Sequence, residues 1–241
     1  MRPLKDTYIF RRVEKKYIID KNVKDKLLEI ISHRLIPDAY GKSTICSLYL
    51  DTPDYLLIRN SIDSTVYKEK LRVRSYGLPS ADSKVFFEIK KKYKGVVYKR
   101  RVSMTYGEMC EYLARRVRPS EGQIMNEIDW VMKYYAYPEP RVLILYEREA
   151  YTCSENENVR LTFDTNVRYR TENLTPAGGD SGKNILPDDT VILEIKTPGG
   201  MPLWLSDALD KLKIYPSKCS KYGYAYSEIH DNMKKGKISN V

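Results

Sequence analysis

Histidine is nearly absent from this chain: two in 241 residues, His33 and His230. Both fall in stretches with helical patterning and neither has a ligand-like partner in sequence, so they read as structural. That scarcity argues against a histidine-rich metal centre and against a histidine general base. The four cysteines, Cys46, Cys110, Cys153 and Cys219, are scattered with no CxxC pair. Neither a zinc site nor a disulfide framework is expected, which fits a reducing compartment. No run of about 18 apolar residues occurs, so no transmembrane helix is expected. The opening stretch MRPLKDTYIFRRVEKKY lacks an apolar segment and a small-residue cleavage site. No secretory signal is read there, and the expected location is cytoplasmic.

Positive charge is what the chain has in excess. Lys and Arg total 42 against 32 Asp and Glu, a formal net charge of +10. Such a balance implies an anionic partner, and on charge alone nucleic acid, an acidic membrane and a small polyanion such as polyphosphate are all open. The hydrophobic fraction of 42% supports a packed core. No composition break resembles a linker, so a single domain over residues 1–241 is expected.

Apolar periodicity divides the chain into segments. Residues 11–20, RRVEKKYIID, open as a strand, and Asp20 is placed to cap a helix over 21–35 whose stripe is Val23, Leu27, Leu28, Ile31 and Leu35. STICSLYLDT (43–52) is a strand, followed by a short helix or turn carrying Arg59. Strands at 65–76, 84–92 and 95–104 are expected to pair as hairpins, with turns at Pro79 and KYKG. Helices follow at 106–117 and 121–136, then strands at 140–151, 158–170 and 189–200. Helical patterning returns near 202–214 and in a terminal segment, while 171–184 is rich in Gly, Asn, Thr and Asp and reads as a mobile loop. About eight strands, with hairpins, inserted helices and no β-α-β alternation, predict an α+β fold: an antiparallel eight-stranded β tunnel barrel with flanking helices.

The strands share a second pattern. In KEKLRVRSYG (68–77), Lys68, Lys70, Arg72 and Arg74 project from one face, and Glu69, Leu71 and Val73 from the other. Glu88, Lys90 and Lys92 alternate with Val85, Phe87 and Ile89, and Lys99 and Arg101 alternate with Tyr98 and Val102. Tyr146 and Arg148 share a side, Arg160, Thr162 and Asp164 oppose Leu161 and Phe163, and Glu194 and Lys196 oppose Leu193 and Ile195. One such strand is an ordinary amphipathic strand with its charged face in water. A repeat of Arg at period two over several strands is less ordinary, and closed into a barrel it would line a cationic tunnel. Arg and Lys at this density match oligophosphate, Arg as a bidentate fork and Lys as a point charge. Glu14, Glu88 and Glu194 interrupt the cations. Each suits either a neighbouring Lys or Arg or a hard divalent ion shared with phosphate oxygens, and Glu194 has the fewest cations in its own strand.

The motifs RRVEKKYIID, SLYLDTPDY, KEKLRVRSYG, FFEIKKK, VYKRRVS, LYEREAY, VRLTFDT, LEIKTP and SKCSKYGYA, in this order, resemble the catalytic domain of the VTC (vacuolar transporter chaperone) polyphosphate polymerases from about residue 8 to residue 230. That family is part of the triphosphate tunnel metalloenzyme, or CYTH-like, superfamily. The resemblance implies a tunnel-shaped antiparallel barrel that transfers the γ-phosphoryl group of ATP to a growing polyphosphate chain with Mn²⁺ or Mg²⁺. Carried over by motif, it implies phosphate contacts from Lys16, Arg59, Arg72, Arg74, Lys90, Lys99, Arg148 and Arg160. Tyr146, Ser220 and Lys221 match further phosphate-binding positions, and Glu194 matches the metal-binding glutamate. A one-residue slip would put Arg100 in place of Lys99, and Ser217–Lys218 competes with Ser220–Lys221. The eukaryotic polymerases carry an SPX domain and membrane helices; neither is visible here, so inositol-phosphate control and coupling to translocation are not expected, and a membrane partner is left open. The first strand has EKKY where the triphosphatase and cyclase branches have ExExK, which favours the polymerase branch. The alternatives are a triphosphatase or other phosphoanhydride hydrolase of the same fold and a non-catalytic polyanion-binding module. Nucleic acid is not the expected partner: the 21 tyrosines could stack bases, but filling a barrel and its interfaces is the preferred reading.

Overall fold

The computed structural model describes residues 13–64, 66–94 and 96–238. Arg11 and Arg12 of the first expected strand, Thr65 and Gly95 lie outside the described residues. In chain order the elements are β1 (Val13–Asp20), α1 (Lys21–Ile31), β2 (Leu35–Asp51), α2 (Leu56–Asp63), β3 (Tyr67–Tyr76), β4 (Lys84–Tyr93) and β5 (Val96–Thr105). Next come α3 (Tyr106–Arg115), α4 (Gln123–Tyr134), β6 (Glu139–Cys153), β7 (Arg160–Arg170), β8 (Lys183–Asn184), β9 (Thr190–Thr197), α5 (Leu203–Lys211) and α6 (Lys221–Ile238). The strands form one sheet in the order β1-β9-β7-β6-β2-β3-β4-β5, with β8 added on β7. The class is α+β, antiparallel with flanking helices, as the strand pattern predicts. Eight strands make the main path; the ninth, β8, is a two-residue strand inside the segment read as a loop.

The chain divides into two compact units. The first holds residues up to Lys42, Arg148–Thr165 and Asp189–Cys219. Here β1 pairs with β9 and β9 with β7, and Tyr17, Leu161, Phe163, Leu193 and Ile195 turn to a core closed by Leu27 and Ile31 of α1 and Leu205 of α5. The second holds Ser43–Glu147, Asn166–Asp188 and the chain from Ser220 on. Its ladder β2-β3-β4-β5 sends Leu48, Leu71, Val73, Phe87 and Ile89 to a core covered by Tyr112 of α3 and by Ile128 and Val131 of α4. Each of these buried aliphatic or aromatic side chains contributes about 1.5–3 kcal/mol. In both units one sheet face is thus spent on the core, and the alternate residues are left to carry charge.

Local signals explain most boundaries. Asp20 caps α1 by accepting from the Val23 amide at 2.7 Å. Thr105 and Glu108 form a capping box at the start of α3. The Asp51 carboxylate, wholly buried, accepts from the amides of Leu57 (2.8 Å) and Ile58 (3.0 Å), which fixes α2 against the end of β2. Burial raises the Asp51 pKa, while these amides and the Tyr222 hydroxyl oppose that rise.

Two expectations are corrected. The first helix stops at Ile31, not Leu35; after one 3-10 turn Leu35 begins β2. Pro37 explains the change, since it cannot donate to a helix and drives the residue before it to extended backbone. Leu35 still packs on the first unit's core, but from the strand. The 171–184 segment is irregular through residue 182, as expected, with the Arg170 guanidinium donating to the carbonyls of Thr175 (2.7 Å), Ser181 (3.1 Å) and Gly178 (3.4 Å), but its end is a strand: Lys183–Asn184 pair with β7.

Candidate anion-binding site

In the second unit, strand register sorts the side chains into rows. Tyr49 of β2, Arg72 of β3, Glu88 of β4 and Arg101 of β5 lie directly opposite one another; so do Lys70, Lys90 and Lys99. Directly opposed residues of an antiparallel pair share a face, so both rows stand on the face away from the core. Arg100 lies on the other face and donates to Glu127 of α4 at 3.2 Å. The register therefore puts Lys99, not Arg100, with the cations.

Glu88 is only 1% exposed and is held from two sides. The Arg72 Nε donates to its Oε2 at 2.7 Å, and the Lys99 ammonium lies 2.6 Å from its Oε1. Burial would raise the carboxyl pKa, but Arg72, Arg74 and Lys99 together hold it down at about 2. Burial pulls the Lys99 pKa down and Glu88 works against that. Arg72 is pushed further up by Tyr49 and Glu88 despite its burial, so it stays charged. Its Nη1 reaches the Tyr49 hydroxyl at 3.3 Å, and the Arg74 Nη2 donates to the Tyr146 hydroxyl at 3.2 Å. The Lys221 ammonium sits 4.4 Å above the Tyr146 ring, a cation–π contact.

Ser220 begins α6. Its Oγ accepts from the Gly223 amide at 3.1 Å and from the Lys70 ammonium at 2.9 Å. A Cβ on Gly223 would come within 3.2 Å of the Ser220 Cβ, so a glycine there leaves room for the cap. Arg59 lies on α2 and is ion-paired with Asp54. Of the expected residues, the second unit therefore brings together Arg72, Arg74, Lys90, Lys99, Tyr146, Ser220 and Lys221, and keeps Arg59 on a neighbouring helix with its own carboxylate.

The remaining expected residues belong to the first unit. Lys16 faces Glu194 across β1 and β9, and Thr162 of β7 faces Glu194 from the other side. The Lys16 ammonium is 3.6 Å from Glu14, 3.7 Å from Glu194 and 3.4 Å from the Cys219 carbonyl. Lys196 is closer, 2.6 Å from the Glu194 Oε1. Burial raises the Glu194 pKa, but Lys196, Lys16 and Arg148 overcome it and hold the carboxyl well below its ordinary range. Arg148 makes a bidentate pair with the fully buried Asp164, at 2.6 and 2.7 Å. Arg160 is 3.8 Å from Asp38. Ser217, the competing match for Ser220, donates its amide to the Lys16 carbonyl at 2.8 Å, and its buried Oγ has no hydrogen-bond partner among the described residues.

Glu194 fits only one kind of metal site. Among the described residues no group of three or more His, Cys, Asp or Glu side chains is placed to hold an ion. The buried Thr162 Oγ1 opposite Glu194 has no hydrogen-bond partner among them. One carboxylate and a hydroxyl suit a hard divalent ion that takes most of its oxygens from phosphate and water, while the flanking Lys16 and Lys196 ammoniums suit the phosphate and not the ion.

Lys70, Lys196 and Asp164 stand on the charged faces read from the sequence but were not among the expected site residues, and Tyr49 was not singled out at all. Lys196 was readable, because it stands two residues from Glu194 and so shares its face. Tyr49 was not, since it is neutral and its row depends on a ladder between strands.

These features define a class: an α+β protein built on an antiparallel sheet that carries cationic side chains on the face opposite its core. The chain belongs to the VTC domain family, whose model matches residues 11–230. That range agrees with the motif-based one of about 8 to 230. A Bacillus halodurans structure described as a candidate adenylate cyclase has TM-score 0.54 at 13% identity, covering 87% of this chain and 93% of its own. A Vibrio parahaemolyticus structure with the same description has TM-score 0.47 at 10% identity, covering 89% and 97%. The first likeness supports the fold. No curated protein sequence matches the chain. Among the described residues no helix is long and apolar enough to cross a membrane.

Proposed function

We propose that the chain is a metal-dependent polyphosphate polymerase that transfers the γ-phosphoryl group of ATP to a polyphosphate chain, with residues 1–241 acting as one domain. Membership of the VTC family supports this reading. The observation that carries it is the like-charged row Lys70, Lys90 and Lys99, standing beside Arg72 and Arg74. Like charges directly opposite each other cost free energy, and a linear polyanion lying along them offsets that cost.

Phosphoryl transfer depends on positioning and charge neutralisation. Arg72 and Arg74 are held by Glu88, Ser47 and Tyr146, which fixes their planar groups before substrate arrives. Lys16, Arg59, Lys90, Lys99, Arg148, Arg160, Ser220 and Lys221 supply further phosphate contacts in this reading. A Mn²⁺ or Mg²⁺ held by Glu194 would supply Lewis acidity and charge neutralisation at phosphate oxygens. The acceptor, a terminal phosphate oxygen, is already anionic near neutral pH, so no general base is needed, in keeping with two histidines. The cations offset repulsion between acceptor and donor phosphates. The proposed partners are ATP and polyphosphate, not nucleic acid, and the proposed location is the cytoplasm, from the unpaired pattern of cysteines.

The test is product analysis. Purified protein with ATP and Mn²⁺ or Mg²⁺ is expected to yield long polyphosphate chains on a gel. ADP and free phosphate without polymer, under either metal, overturns the polymerase reading and supports a hydrolase.

A further inference from the structure

Tyr49 plays no part in the contacts carried over by motif, yet it stands in the row with Arg72 and Glu88. Its side chain is buried, 7% exposed. The Arg72 Nη1 donates to its hydroxyl oxygen at 3.3 Å, which uses the oxygen as an acceptor and leaves the hydroxyl proton. Among the described residues no group accepts that proton. The ring stacks on Tyr222, centroids 4.3 Å apart, but the Tyr222 hydroxyl is turned to the Asp51 Oδ2 at 2.8 Å. The nearby anions are engaged: Glu88 of β4 by Arg72 and by Lys99 of β5, and Asp51 by Tyr222 of α6 and the amides of α2. What remains around the hydroxyl is cationic, Lys70, Arg72 and Arg74 of β3, with Tyr146 of β6 beyond Arg74. A buried O–H donor without an acceptor is costly, and a cationic surround selects an anionic acceptor.

We infer that Tyr49 is a further phosphate-binding residue, which donates its phenol proton to an oxygen of the anion held by Arg72 and Arg74. The inference rests on the phosphate-binding reading of this cluster and adds a proton requirement to it. Burial alone would raise the Tyr49 pKa, but Arg72, Lys70 and Arg74 bring it down to about 8. Above that pH the donor becomes a phenolate, a negative charge where the phosphate oxygen must lie. A bound phosphate oxygen has the reverse effect and keeps the proton on the phenol.

The experiment is calorimetric titration of the full chain with inorganic tripolyphosphate at constant ionic strength, for wild type and Tyr49→Phe. The ratio of the two affinities at each pH cancels the ionisation of the probe itself. Wild type should bind more tightly at pH 7, and its advantage should shrink about tenfold between pH 7 and pH 9, the effect of titrating one required proton near pH 8. A parallel measurement does not depend on the variant folding. Ultraviolet titration of wild-type phenolate should show one tyrosine ionising ahead of the others, and saturating tripolyphosphate should move that step to higher pH. Equal affinities with a constant ratio, or a phenolate step that tripolyphosphate leaves in place, overturns the role of Tyr49 alone. Absence of tripolyphosphate binding by both proteins at every pH overturns the phosphate reading itself.

Discussion

Arg72 and Glu88 face each other across β3 and β4, and the guanidinium gives its Nε edge to the carboxylate while its Nη1 turns to Tyr49. The pair leaves Arg72 with one edge fixed and one edge directed to the cationic cluster. Glu88 is thus a positioning residue, and its protonation is tied to folding. Its carboxyl titrates near 2 in the folded chain against an ordinary 4.5. Between those values the unfolded chain binds a proton that the folded chain refuses. The stabilisation is therefore complete above pH 4.5 and is lost as pH falls toward 2. Glu88→Gln should lower the unfolding free energy by about 3 kcal/mol at pH 7, since it leaves Arg72 and Lys99 without their buried counter-charge. Urea unfolding of both proteins should show that gap shrinking as pH falls from 4.5 toward 2, the interval between the unfolded and folded carboxyl pKa values. A gap independent of pH would count against the ion pair as its cause.

Arg72 and Arg74 should dominate anion affinity in the second unit. Each charged hydrogen bond contributes about 1.5–3 kcal/mol, so Arg72→Ala with Arg74→Ala should weaken tripolyphosphate binding well over a hundredfold. Arg100→Ala, on the opposite face against Glu127, is the matched control and should change affinity less than about threefold. Calorimetry on the three proteins measures both, and comparable losses from the Arg72/Arg74 double variant and from Arg100→Ala would refute the face assignment.

The charged alternation of KEKLRVRSYG was legible because period two is a property of one strand. The strand at 84–92 and the strand at 140–151 were legible for the same reason, and so was the cap at Asp20. What escaped was whatever depends on two strands together. That Glu88 answers both Arg72 and Lys99 follows from the β3-β4-β5 register, which no single segment encodes. The Lys99 and Arg100 choice was open until the same register closed it. The early end of α1 had a local signal at Pro37, but the apolar stripe running to Leu35 outweighed it. Asp164 was visible as a charged-face residue, yet its bidentate grip on Arg148 joins β7 to β6 and has no sequence signature.

That grip makes Asp164 a stability determinant. The carboxylate is fully buried, and removing its charge takes the bidentate counter-charge away from the largely buried Arg148. Asp164→Asn should cost about 3 kcal/mol in chemical unfolding. Arg148→Met in the same background should recover part of that loss, because both members of the pair are then gone. A double-mutant cycle measures the coupling, and strict additivity would show that the two residues contribute independently.

Glu194 offers the sharpest separation of binding from chemistry in the proposed reaction. It is held by Lys16 at 3.7 Å and Lys196 at 2.6 Å, and both cations hold its carboxyl well below the ordinary carboxylate range against the effect of burial. An ionised carboxylate between two lysines does not need to bind substrate phosphate; its proposed part is to anchor a divalent ion that phosphate brings with it. Glu194→Gln keeps the size of the side chain and removes that anchor, together with the negative charge that faces Lys16 and Lys196. Tripolyphosphate affinity measured without metal should therefore hold or rise, whereas turnover of ATP with Mn²⁺ should fall by about two decades or more, the equivalent of several kcal/mol of Lewis-acid assistance. Mn²⁺ binding, followed by electron paramagnetic resonance in the presence of tripolyphosphate, should weaken in parallel. If the variant loses tripolyphosphate affinity in the absence of metal, Glu194 acts by ordering Lys16 and Lys196, and the assignment of the metal to this carboxylate fails. If Mn²⁺ binding and turnover are both unchanged, the ion is held elsewhere.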